Sequence, residues 1–128
     1  MTVLRHAAIP FAFSSSLLEK YNLGAVFEVT DSQTKKPSTR NPYYEPQNGD
    51  FPFPEIQGIK DLQKRGSLFC LCDLATKKYS SAIASKMNLN PADVYTDWVN
   101  HILPGIQLVP SGVWALGRAQ ENGCGYIY

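Results

Sequence analysis

Cys72 is the residue best placed for chemistry in this sequence. It closes the apolar run Ser67-Leu68-Phe69-Cys70-Leu71-Cys72, and a helical pattern begins directly after it. It therefore stands where a strand hands over to a helix. The free N–H groups and partial positive charge at a helix start favour a thiolate over a thiol. A thiolate is a nucleophile and can also carry an added sulfur as a persulfide. With a side-chain period of two, Leu68, Cys70 and Cys72 fall on one strand face, which puts Cys70 one pleat deeper and makes it less reactive. The competing reading is that both cysteines are small core hydrophobes. Cys-Leu-Cys is not the two-residue gap of a redox or zinc motif, and no second Cys/His pair completes a site, so no metal is expected.

The other candidates lie at strand ends that share an edge with Cys72. Arg5 and His6 end a first short strand: His6 could act as base or donor, and Arg5 could bind an anion. Asp73 follows Cys72 as a cap or first-turn acid and joins the binding candidates. Pro110-Ser111-Gly112-Val113 offers N–H groups and a hydroxyl at a helix start, which could hold a carboxylate, a sulfate or a persulfide charge. Ser111 as a plain N-cap is the simpler alternative. No G-x-S-x-G elbow, P-loop or G-x-G-x-x-G is present, so hydrolase and nucleotide readings lack support and no cofactor is expected. Trp98 and Trp114 read as core or subunit contact, His101 as a helix-end cation and Cys124 as packing. Lys35-Lys36 and Lys77-Lys78 read as solvated surface.

Strands and helices alternate around these residues. Val3 to His6 reads as a strand. Ser14-Ser15-Ser16 precedes a short helix through Tyr21, with Gly24 as its stop. Ala25 to Thr30 alternates and predicts a strand, with Ser38 to Arg40 returning as an edge partner. Five of the nine prolines fall between residues 30 and 58. They break regular structure there and leave an ordered, aromatic-held loop that could cover a neighbour or the Cys72 site. Helical spacing follows over 56–65. It returns over 74–87, with Leu74, Tyr79, Ile83 and Met87 near one stripe, and from Asn90-Pro91, with Val94, Trp98 and Ile102 on one face. Ile106 to Val109 is a short buried strand, Val113 to Glu121 a helix, and Cys124 to Tyr128 a last strand with Tyr126 and Tyr128 on one side. The order predicts a three-layer α/β/α fold on a mainly parallel sheet, with a Pro-rich hairpin or loop insertion at about 25–58.

Composition sets the limits. The chain has 128 residues, 44% hydrophobic and 18% charged, with a net charge of +1. That suits one domain over 1–128 with its own core. The charge carries no footprint for nucleic acid, and no apolar run could span a membrane. Three cysteines are too few, and odd in number, for a disulfide-built miniprotein. The amino terminus lacks the apolar core and cleavage site of a secretory signal. The chain as it stands reads as cytoplasmic, or as exported if a signal lies upstream of Met1.

Three segments, in their order and spacing, resemble the DsrE/DsrF-like family of small sulfur-relay proteins. They are the opening V-L-R-H-A-A-I-P-F, the segment L-Q-K-R-G-S-L-F-C-L-C-D-L-A, and I-Q-L-V-P-S-G-V-W-A-L-G-R-A-Q-E-N-G-C-G-Y-I-Y. They cover the chain outside about 25–55, and Cys72 falls on the family's cysteine. The resemblance implies an α/β/α fold, homo-oligomers and a cysteine that accepts and passes sulfane sulfur between a donor and an acceptor protein. The family's first β-α unit has no counterpart here, so upstream sequence or a partner is expected to fill its place. Two functions follow as expectations. One is a sulfur carrier or sulfurtransferase acting through a Cys72 persulfide, stabilised by His6 and the Ser111-Gly112 amides. The other is a non-catalytic, oligomeric binding module of the same fold. A thiol redox sensor is a third reading.

Overall fold

The computed structural model describes residues 1–123. The expected last strand, with Cys124, Tyr126 and Tyr128, lies outside the described residues. The elements are β1 (Thr2–Leu4), a 3-10 helix (His6–Ala12), α1 (Ser15–Lys20), α2 (Leu23–Val26), α3 (Ile59–Lys64), β2 (Phe69–Cys72), α4 (Asp73–Lys86), α5 (Pro91–Asn100), β3 (Ile106–Val109) and α6 (Gly112–Glu121).

The fold is mixed α/β around a small parallel sheet in the order β1-β2-β3. Leu4 pairs with Leu71, and Cys72 with Val109. The three carboxyl ends therefore share one edge, each followed by a helix start. All four residues of β2 are buried, as a central parallel strand requires. The core joins Leu4, Leu71 and Ile106 of the sheet to Ile9, Phe13, Leu17, Leu18 and Leu23 of the first helical segments and to Ile83, Val94 and Trp98 of α4 and α5. The fully buried Trp98 receives Phe13 and Tyr21 edge-on, with ring centroids 5.5 and 5.9 Å away. Tyr21 hydrogen-bonds Asp97 at 2.6 Å through its hydroxyl, and burial together with that carboxylate pushes its pKa up to about 12.

Several local expectations change. The first strand stops at Leu4, because His6 takes a left-handed φ of +51° and opens the 3-10 helix. The strand expected over Ala25–Thr30 is instead the turn of helix α2, followed by Glu28 at φ +56°. Asn22, at φ +53°, ends α1 and starts α2, so Gly24 lies inside a helix rather than stopping one. Glycine is needed there for close approach: a Cβ would sit 2.2 Å from the Ser38 carbonyl oxygen. Only a single antiparallel bridge, Thr30 to Pro37, remains of the expected hairpin. Tertiary packing outweighs the β propensity here, with Leu23 fully buried and Phe27 against Tyr79 at 4.9 Å. Ile56 lies before α3 and is exposed. On α4 the buried face is Ala75, Thr76, Ser80, Ile83 and Ala84, whereas Leu74 is 65% exposed and Met87 is exposed.

The Pro-rich segment is held mainly by polar groups. Arg40 bridges Asp31 at 3.1 Å and Asp50 at 2.6 Å, with both carboxylates largely buried. The Asn41 amide donates to the carbonyls of Phe11 and Phe13, and its oxygen accepts from the N–H groups of Tyr43 and Tyr44. Tyr43 adds ring contacts to Phe11 and Phe51. These bonds fasten the segment over the 3-10 helix.

The clamp sets an acid sensitivity. The Gln33 N–H and Arg40 hold Asp31 below the usual carboxylate range, and Arg40 first, then Ser32 and the Gln47 N–H, do so for Asp50. Lowered carboxylate pKa values give stability that is present above the ordinary value and lost as pH falls through the folded one. The melting temperature should hold from neutral pH to about 5 and fall below about 4. Arg40→Met should melt several degrees lower at neutral pH and lose less on acidification. Parallel pH profiles for the two proteins in thermal unfolding would contradict the clamp.

Candidate functional site

Cys72 occupies the N-cap of α4. Its Sγ accepts from the Ala75 N–H at 3.4 Å, while the Thr76 hydroxyl donates to its carbonyl at 2.8 Å. A second donor reaches the same sulfur from across the sheet edge: the Gly112 N–H, at the first position of α6, lies 3.3 Å away. Two helix starts therefore converge on one sulfur atom. Ser111 caps α6 through its hydroxyl, which accepts from the Trp114 N–H at 3.0 Å. Gly112 has to be small, because a Cβ would press on Arg5 and Val3 at 3.1 Å. Val3 and Arg5 flank the end of β1, so the strand, the glycine and the sulfur are packed as one unit.

A cleft of about 530 Å³ opens over this unit. Arg5, His6, Cys72, Ser111 and Gly112 all line it. The Arg5 guanidinium donates to His6 Nε2 at 2.6 Å, which leaves the His6 proton on Nδ1. Among the described residues no hydrogen bond joins His6 to Cys72. Asp73 is not part of the lining: the Tyr95 hydroxyl donates to one of its oxygens and Lys77 pairs with the other at 3.0 Å. This carboxylate ties α4 to α5, and with burial it pushes the Tyr95 phenol up to about 12. The Pro-rich segment does not line the cleft either, since Asn41 and Arg40 fasten it elsewhere.

The two cysteines are similarly buried, Cys70 at 7% exposure and Cys72 at 5%, so Cys70 is not the deeper one. They differ in surroundings. Burial raises the Cys70 thiol with no helix start to offset it, whereas Cys72 borders the cleft. Leu68 precedes β2 and is exposed. Trp98 is core, and Trp114 is 52% exposed with the Arg118 guanidinium 6.0 Å from its ring. His101 caps the end of α5 and pairs with Asp97 at 3.3 Å. Among the described residues, no group of three His, Cys, Asp or Glu could hold a metal ion, and no helix is long and apolar enough to cross a membrane.

Five lining residues lie outside the set expected from sequence: Leu74, Ala75, Lys78, Tyr79 and Val113. The signal was there. Residues 74, 75, 78 and 79 recur at helical spacing beginning two residues after the cysteine, the face that a helix capped by Cys72 turns toward it.

The sulfur at the edge of the cleft, with two N–H groups directed at it, is arranged to favour negative charge developing there. In the native protein Cys72 should react with iodoacetamide about tenfold or more faster than Cys70, as read by peptide mass spectrometry over time. Equal rates would mean that both thiols wait for unfolding and that the cleft gives no access to either. Compared with models of known families, with curated proteins and with solved structures, the chain matches none.

Proposed function

We propose that Cys72 carries sulfane sulfur as a persulfide, in a sulfur-relay protein of the DsrE/DsrF-like kind. The observation that carries the reading is the pair of helix-start N–H groups, from Ala75 and Gly112, on a cysteine that lines a cleft. In the loading step the Cys72 thiolate attacks the outer sulfur of a donor persulfide. A sulfur–sulfur bond forms at Cys72 as the donor's own breaks, and the donor departs as a thiolate with the proton left on the transferred sulfur. An acceptor thiolate repeats the exchange and returns Cys72 to its starting state. No net oxidant is consumed. His6 and Arg5 sit at the cleft wall, where they can meet the anionic sulfur or its carrier. The three-layer arrangement, the homo-oligomer and the donor and acceptor proteins belong to the same proposal.

One observation favours a second reading. Cys72 already serves as the N-cap of α4 and is almost fully buried. A binding module that uses the thiol only as a cap would show the same geometry.

Incubation with a polysulfide donor separates the two. The intact mass should rise by one sulfur atom in the wild type and in Cys70→Ala, and reductant should remove it. Cys72→Ser, which keeps an N-cap acceptor, should gain none. If the wild type gains no sulfur, or if Cys72→Ser gains it equally, the relay reading falls.

A further inference from the structure

We infer that the Cys72 cleft binds a small organic anion, with its charge toward Arg5 and Lys78 and an apolar body against Leu74, Tyr79 and Val113. Three observations lead there. The volume of about 530 Å³ falls within the range of small-molecule sites. The lining combines two chemistries: Arg5, Lys78 and the polar His6 occur together with the apolar side chains of Leu74, Tyr79 and Val113, and it contains no Asp or Glu.

The third is charge left uncompensated. The ion pairs among the described residues neutralise Lys20, Arg40, Lys60, Lys77 and Arg118 with neighbouring carboxylates. Arg5 and Lys78 have no such partner there, as is also true of Lys35, Lys36, Lys64, Arg65 and Lys86, but of these seven only Arg5 and Lys78 line the cleft, and Arg5 spends one N–H on the His6 ring. Asp73, the nearest acid in sequence, is occupied by Tyr95 and Lys77. Leu74 and Val113, both 65% exposed, stand at the cleft as apolar side chains still facing water. A carboxylate matches the guanidinium fork, and a short alkyl or aryl body covers the two apolar side chains. Resting on the relay reading, the sulfur donor is then a low-molecular-weight organic persulfide that carries a carboxylate.

Binding itself needs no chemistry at Cys72, so the two ideas fail separately. The probe is hexanoate, titrated into isotope-labelled protein and followed by amide chemical shifts. Hexanamide has the same body without charge, and acetate has the charge without the body. Hexanoate should shift the Gly112 and Tyr79 signals and bind about tenfold or more tightly than either control. Arg5→Gln/Lys78→Gln, with folding checked by circular dichroism, should bring hexanoate within about twofold of hexanamide. Lys86→Gln, on the same helix away from the cleft, should change nothing. No shifts at the cleft, equal binding of hexanoate and hexanamide, or unchanged binding in the double variant would overturn the inference. A protein that takes up sulfur but ignores hexanoate keeps the relay and loses the anion site. One that binds hexanoate but takes up no sulfur does the reverse.

Discussion

The convergence of two backbone N–H groups on the sulfur of Cys72 ties the sheet edge together. Parallel pairing brings the carboxyl ends of β1, β2 and β3 to one side, and a helix starts after each of the last two strands. Each helix start leaves N–H groups without partners inside its own helix. Here Ala75 and Gly112 both settle on Cys72 Sγ, so one atom caps α4 and docks α6. Sulfur is a weak acceptor when neutral and a better one when charged. The feature that fixes the local structure is therefore also the one that favours negative charge on that atom. Gly112 completes the arrangement by letting Arg5 and Val3 pack against it.

A second constraint orders the Pro-rich segment away from the cleft. The Pro-rich segment cannot form regular structure, so side chains must order it. Arg40 gathers Asp31 and Asp50, and Asn41 joins the segment to the carbonyls of Phe11 and Phe13. These contacts bind it to the 3-10 helix, and none of its residues reaches the cleft wall.

What sequence reading could reach follows from the range of each interaction. Cys72 at a strand end, Ser111 as a cap and Pro91 at a helix start depend on neighbours within four residues, and all three occur. The gathering of Arg5, His6, Ser111 and Gly112 around Cys72 followed from parallel topology alone, because strand ends of a parallel sheet must share an edge. Asp73 is the first-turn acid of α4 that its position indicates, but that position said nothing of Tyr95, twenty-two residues further along the chain, whose hydroxyl hydrogen bond it accepts away from the cleft lining. The false strand at Ala25–Thr30 has a similar origin. Its alternation is real, but Gly24 against Ser38 and Phe27 against Tyr79 are long-range contacts that select a helical turn. Leu74 and Tyr79 stand out in sequence only as members of one stripe, because helical spacing shows that residues share a face, not whether that face meets the core or a cleft.

The structural and functional claims meet in the two N–H contacts, and nuclear magnetic resonance addresses them directly. As pH is raised on the native protein, the Ala75 and Gly112 amide signals should move together with the Cβ signal of Cys72, along one titration curve that is absent in Cys72→Ser. If the two amides stay still while the Cys72 signal titrates, or follow a different group, the sulfur is not their shared acceptor, and the account of the site fails at its base.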